Sequence, residues 1–175
     1  MKTLCVLCLS LLATVSLSAQ QMLPGTLQVN GVDRTYLLHI PTGDHSGKPL
    51  PLVLALHGAG MTSALMATVT GLNTWADKTG FIVVYPEGLE NHWNVKQTPG
   101  AGIDDFVFMK QLLTKIEGTY SIDHSRVIAT GYSNGAGMSQ MMGCTGNFQF
   151  KAIVAVSATM LVEAASHALR SIQSV

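Results

Sequence analysis

Residues Arg126-Val127-Ile128-Ala129-Thr130-Gly131-Tyr132-Ser133-Asn134-Gly135-Ala136-Gly137 decide how the rest of the chain is read. The apolar run Arg126 to Thr130 reads as a strand, Gly131-x-Ser133-x-Gly135 as a sharp turn, and Asn134 to Met142 as the helix that follows. A serine stands at the apex. This is the pattern of a nucleophile elbow, in which small residues two before and two after the serine let strand and helix cross closely and hold its hydroxyl exposed. The pattern alone is a weak signal, so its weight depends on whether the flanking sequence supplies the sheet that an elbow requires.

Upstream, Leu52-Val53-Leu54-Ala55-Leu56 and Phe81-Ile82-Val83-Val84-Tyr85 are continuous apolar runs, as expected of central strands buried on both faces. Between them Leu65, Val69, Leu72 and Ala76 recur at helical spacing, and Gly80 closes the segment. Strand, helix, strand is the unit of a parallel sheet. Thr26 to Val29 and Arg34 to Ile40 are strand-like runs joined through Asn30-Gly31, a strong hairpin signal because both residues tolerate positive φ. Pro86 to Ile103 is a long loop containing His92 and Trp93. Asp104-Asp105 then caps a helix that carries Phe106, Met109, Leu112, Leu113 and Ile116 on one face and ends at Gly118. Past the elbow helix, whose Met138, Met141 and Met142 are core packing at helical spacing, Ala152 to Val156 forms a further strand. The expected fold is α/β: a mostly parallel sheet with flanking helices and an N-terminal hairpin.

A serine hydroxyl is a poor nucleophile near neutral pH, so it needs a base to take its proton and donors to stabilise the oxyanion formed on attack. The loop after the first central strand, His57-Gly58-Ala59-Gly60, stands where an elbow fold offers one main-chain N–H, and the residue after the nucleophile offers another. The N–H groups of Ala59 and Asn134 are therefore the expected oxyanion hole, with Ser133 as the catalytic nucleophile. A tight strand-to-helix turn is the plainer account of the same loop.

Formal net charge is zero and only 11% of residues are charged, with no basic run, so neither nucleic acid nor an acidic lipid surface is an expected partner. Residues 1–19 match a secretory signal: an early lysine, a short apolar core from Leu4 to Leu17, and small residues before a cut after Ala19. The expected location is extracellular, with no membrane attachment after cleavage, and Gln20 to Val175 form a single domain. Cys5 and Cys8 leave with the signal, which makes Cys144 the sole remaining cysteine and an unpaired one.

Leu56-His57-Gly58-Ala59-Gly60-Met61, Trp75-Ala76, Gly80 through Gly88, Asp104-Asp105, Ile122-Asp123-x-Ser125-Arg126-Val127, Gly131 to Gly135 and Ala155-Val156-Ser157-Ala158 together resemble the secreted polyhydroxybutyrate depolymerase and feruloyl esterase family of α/β-hydrolases. These blocks span most of residues 25–160, and their order and spacing make the resemblance far more specific than the elbow. It implies an α/β-hydrolase-type sheet and an extracellular serine esterase that cleaves a small-molecule or polymeric carboxylic ester through an acyl-enzyme, without metal or cofactor. Polyhydroxyalkanoates, feruloylated xylan and acetylated sugars are the substrate classes it suggests. Trp93 is a candidate substrate-binding residue for a phenolic or sugar ring, with packing an equal alternative.

In this fold the triad follows the order serine, acid, histidine, each partner after a later strand. Only Asn134 to Val175 follow Ser133 here, with one strand among them, so the expectation is an N-terminal portion of the fold, incomplete at its C-terminus. The resemblance also implies a disulfide partner for Cys144 in the missing part. Glu163 and His167, one turn apart, read as a solvent-facing helix pair rather than acid and base. His39, His45, His57, His92 and His124 do not fall at positions suited to the base. An inactive remnant or a secreted binding protein is the competing expectation.

Overall fold

The computed structural model describes residues 22–43, 47–96, 104–145, 148–159 and 165–166. The expected signal at 1–19, His45, Glu163 and His167 lie outside the described residues. Six strands form one sheet: β1 (Met22–Val29), β2 (Val32–His39), β3 (Leu50–Leu56), β4 (Ile82–Pro86), β5 (Ile122–Tyr132) and β6 (Ala152–Val156), in the spatial order β1-β2-β4-β3-β5-β6. Among the described residues four helices accompany them, α1 (Ser63–Thr70), α2 (Leu72–Thr79), α3 (Asp105–Thr119) and α4 (Asn134–Cys144), with a 3-10 turn at Leu89–Asn91.

β1 and β2 form the expected antiparallel hairpin, closed by Asn30 and Gly31 at φ 51° and 81°, the paired positive values that a two-residue turn of matching twist requires. β2 runs antiparallel to β4, whereas β3 is parallel to both β4 and β5, and β5 to β6. The sheet is thus mixed at one edge and parallel through its centre.

Alternation along β3 and β4 sorts their side chains between two cores. Leu52, Leu54, Leu56, Ile82 and Val84 pack with Phe108, Met109 and Leu112 of α3 and Met138 and Met142 of α4. Ala55, Val83 and Tyr85 meet Met66 of α1 and Ala76 of α2 on the opposite face. β3 is a two-sided buried strand, and each large side chain so buried contributes about 1.5–3 kcal/mol.

The connection between β3 and β4 corrects one expectation. Two helices replace the single one, because Gly71 adopts φ 59° and ends α1 while opening α2. Leu65 and Val69 are 45% and 61% exposed, so the buried face runs instead through Ser63, Met66, Asn73 and Ala76. In α3 the buried set is Asp105, Phe108, Met109, Leu112 and Ile116, with Phe106 and Leu113 only partly covered, and the helix continues one residue past Gly118. β5 begins at Ile122, earlier than its apolar core suggests.

That early start is organised by Asp123. Its carboxylate accepts the Ser125 N–H at 2.9 Å, the Ser125 hydroxyl at 2.6 Å and Arg126 Nε–H at 2.6 Å. The Ser125 hydroxyl foremost, then Arg126 and the Ser125 amide, lower its carboxyl from 3.8 to about 2. A depressed folded-state value contributes stability above the unfolded value and loses it as pH falls toward the folded one. Asp123→Asn is therefore expected to lower the thermal midpoint near neutral pH, with the gap from wild type closing as pH is taken down from 3.8 to about 2. A gap of constant size across that window contradicts the assignment.

Candidate active site

β3 and β5 are neighbours, with Leu56 paired to Gly131, so the chain segments leaving their C-terminal ends emerge side by side. From β3 comes His57-Gly58-Ala59-Gly60, and from β5 comes the turn at Ser133 into α4. Ser133 sits at φ 51°, ψ −113°, a conformation that costs a non-glycine residue about 1–3 kcal/mol. It is held there by its N–H on Val156 O at 2.8 Å and by its carbonyl, which accepts Gly137 N–H at 3.0 Å as the first bond of α4. The Ser133 hydroxyl stands at the junction of β5 and α4. Among the described residues no group hydrogen-bonds to it.

The two glycines of the motif have separate reasons. A Cβ at Gly131 would collide with the main chain of Gly135, and a Cβ at Gly135 would collide with the carbonyls of Leu56 and His57. The helix therefore crosses its own strand and the neighbouring loop at backbone contact. Gly135→Ala forces backbone atoms apart, since no side-chain rotation relieves the clash, and is expected to cost about 3 kcal/mol or more. Urea unfolding checks this, and a midpoint equal to wild type would contradict the close crossing.

Ala59 is exposed, Ser133 and Asn134 are half-buried, and neither the Ala59 nor the Asn134 N–H is given to another main-chain oxygen among the described residues. Asn134 is the first residue of α4, where helix geometry leaves N–H groups without intrahelical acceptors and concentrates partial positive charge. Two unspent donors at the ends of adjacent segments are what a developing oxyanion needs.

The Asn134 side chain has a second job. Its Oδ1 accepts Trp93 N–H at 2.8 Å and its Nδ2–H is given to Trp93 O at 3.2 Å, clamping the Trp93 loop to the elbow. Trp93 is only 2% exposed, its indole N–H donated to His57 O at 2.8 Å and its ring 4.8 Å from that of His57. Of the two roles expected for Trp93, the burial of its ring favours packing. With its ring buried, Trp93 packs against the His57-Gly58-Ala59-Gly60 loop.

Behind it lies a pair that the sequence reading took as helix caps. Asp104 does cap α3, accepting Val107 N–H at 3.0 Å. Asp105 is fully buried: Arg34 Nη2–H reaches its Oδ1 at 2.7 Å, Asn94 N–H its Oδ2 at 2.7 Å, and the guanidinium lies 4.2 Å over the Phe108 ring. Arg34 also donates to Glu87 O at 3.2 Å. Strand β2, the loop after β4 and α3 are thereby tied together. The signal available in the sequence was the doubled aspartate, since one residue suffices to cap a helix.

The histidines divide by burial. His39 is fully buried with Nε2 2.9 Å from Asp77, and His57 is fully buried with both ring nitrogens hydrogen-bonded to main chain. His124, 72% exposed, pairs with Glu117 at 3.4 Å near the start of β5, at the far end of that strand from Ser133. His92 is exposed in the Trp93 loop. Among the described residues no group of three or more His, Cys, Asp or Glu side chains is arranged to hold a metal ion. Cys144, at the end of α4, is a half-buried free thiol.

Comparison with known proteins follows this geometry. Residues 34–174 match the family model described as Esterase PHB depolymerase. Feruloyl esterase C of Emericella nidulans is 29% identical over 142 residues, covering 78% of this chain and 50% of that protein. Feruloyl esterase B of Neurospora crassa is 35% identical over 112 residues, covering 61% of this chain and 38% of that protein. The chain thus spans half the length or less of these two relatives. Among solved structures, a thermostable esterase superposes with a TM-score of 0.70 at 21% identity, over 84% of this chain and 44% of its own, a likeness of fold.

Proposed function

The chain belongs to the Esterase PHB depolymerase family, and from that membership and the elbow geometry we propose that it is a carboxylic ester hydrolase acting through an acyl-enzyme on Ser133. The observation that carries the proposal is the strained Ser133 backbone, held where strand and helix touch at Gly131 and Gly135. Ser133 Oγ attacks the ester carbonyl, the N–H groups of Ala59 and Asn134 receive the oxyanion, and collapse of the tetrahedral species expels the alcohol. Water then releases the acid and restores the serine.

Polyhydroxyalkanoate, feruloyl and acetyl polysaccharide esters are the substrate classes in view, and the names of the relatives favour the feruloyl class. Export, directed by residues 1–19 and leaving no membrane attachment, would bring the enzyme to such polymers. None of the helices among the described residues is long and apolar enough to cross a membrane.

A second reading has its own support. Among the described histidines, His39 and His57 are buried and engaged elsewhere, His124 lies at the other end of β5, and His92 stands in the loop beside Trp93. A chain whose serine lacks a base would bind esters without turning them over. Hydrolysis of a short-chain acyl ester, methyl ferulate and polyhydroxybutyrate by the purified chain, each beside Ser133→Ala, separates the two. Turnover of any one of them that ends with the substitution supports the hydrolase. Equal background rates in both proteins would sink it in favour of the binding reading.

A further inference from the structure

An exposed aromatic ring stands next to the nucleophile, and the proposed mechanism leaves it unused. Among the described phenylalanines, tryptophans and tyrosines only Trp75 and Tyr132 are exposed. Trp75 lies on α2, its ring covered by Lys78 with Nζ 5.1 Å from the centroid. Tyr132, 43% exposed, is the last residue of β5 and the immediate neighbour of Ser133. Its hydroxyl has no hydrogen-bond partner among the described residues. The ring also reaches the other half of the site. A Cβ on Gly58 would stand 2.8 Å from Tyr132 Cδ1 and 3.3 Å from Cε1, so one ring edge lies against the main chain of the loop that carries Ala59. Met61 Sδ comes within 3.2 Å of the same point, which sets its thioether beside the ring. Val156 pairs with Tyr132 across β5 and β6, so the two side chains share a face of the sheet, and Val156 is 49% exposed. Met61, Tyr132 and Val156 thus form an apolar ledge that begins beside the serine and rests on the Ala59 loop.

We propose that Tyr132 is a specificity-determining residue, whose exposed ring, flanked by Met61 and Val156, receives the aromatic acyl group of a hydroxycinnamoyl-type ester while the ester carbonyl lies at Ser133. This rests on the reading of Ser133 and the Ala59 and Asn134 N–H groups as an ester site. A phenolic ring conjugated to its carbonyl is planar and stiff. Once that carbonyl is held between the serine and the two donors, the ring must lie along a surface next to them, and Tyr132 offers an aromatic one. Offset stacking there buries apolar area on both rings and adds an attraction that an aliphatic chain does not gain. Trp93 packs against the same loop with its ring buried, whereas the Tyr132 ring is open to a ligand.

Binding tests this without turnover. The Ser133→Ala protein is titrated with methyl ferulate and with methyl hexanoate by ligand-observed NMR, with Tyr132 kept or changed in Tyr132→Phe and Tyr132→Leu. Phenylalanine keeps the ring, and leucine keeps an apolar side chain against Gly58 without one. Tyr132→Phe is expected to hold the preference for methyl ferulate over methyl hexanoate within about threefold, and Tyr132→Leu to lower it about tenfold. In proteins that retain Ser133 the same loss should fall on KM for methyl ferulate rather than on kcat, since stacking supports ground and transition states alike. A preference unchanged in Tyr132→Leu, an equal loss for both esters, or no binding of methyl ferulate to any of the proteins would overturn the proposal. Should Tyr132→Leu not fold, transferred NOEs between the ferulate ring and the Tyr132 ring in Ser133→Ala decide, and their absence overturns it. If the chain hydrolyses nothing while the titrations go as expected, the role of Tyr132 stands and only the hydrolase reading fails. Hydrolysis of methyl ferulate that ends in Ser133→Ala and is the same in Tyr132→Leu as in wild type has the opposite meaning.

Discussion

Ser133→Ala is expected to lower kcat for carboxylic ester hydrolysis by about 10⁴- to 10⁶-fold, leaving KM within a few-fold and the thermal midpoint close to wild type. The expectation follows from where the side chain stands. Ser133 is the N-cap of α4 without a side-chain capping bond, and among the described residues its hydroxyl has no hydrogen-bond partner, so removing it breaks nothing that holds the fold. The strained turn, the Val156 and Gly137 bonds and the glycine crossing are all main-chain features that alanine retains. What disappears is the Oγ to which the proposed mechanism assigns the acyl bond. The rest of the proposed site, including the Ala59 and Asn134 N–H groups, remains, which is why KM should hold. Steady-state kinetics on both proteins checks it. A change confined to KM would assign Ser133 to binding rather than chemistry.

Arg34→Ala is expected to destabilise the protein by about 3–5 kcal/mol, the usual cost of stripping one partner from a buried ion pair. Arg34 is 2% exposed and Asp105 0%, so the remaining carboxylate could not reach water to recover its hydration. Asn94 N–H would be its one remaining hydrogen bond. For a chain of this size such a loss lowers the thermal midpoint by about 10 °C or more. The effect should extend to the site, because the loop between β4 and α3 is anchored by Arg34 at Glu87 O and by Asp105 at Asn94, on either side of the Trp93 backbone that Asn134 clamps. Removing both charges, in Arg34→Ala with Asp105→Ala, should cost less than the sum of the single changes. Calorimetry on the three variants decides it; strict additivity would show that the pair is not coupled.

Features built from neighbours in sequence were legible from residues alone. The elbow, the Asn30-Gly31 hairpin and the two-sided strands β3 and β4 each follow from local turn chemistry or from a short apolar run, and the structure has them where expected. Helix α1 misled because Leu65 and Val69 imitate a buried stripe, while the actual face is set by the break at Gly71. Trp93 stayed between two roles for another reason. An aromatic in a long loop is placed by whatever holds the loop, and those holds come from Asn134, His57, Arg34 and Asp105, distant in sequence. The positions of Ala59 and Asn134 at the ends of adjacent strands were legible because they follow from strand order. The contact between the buried His57 and Glu87 was not, since nothing local marks a carboxylate as reaching a residue thirty positions away.

The account stands or falls on Ser133 as an activated nucleophile. Treating the purified chain with a fluorophosphonate, which forms an Oγ–P bond as fluoride leaves, and then locating the adduct by peptide mass spectrometry tests this without choosing a substrate. A single adduct on the peptide containing Ser133, absent from the Ser133→Ala protein, is the predicted result. An unmodified serine after exhaustive treatment, or an adduct that persists in Ser133→Ala, would contradict it.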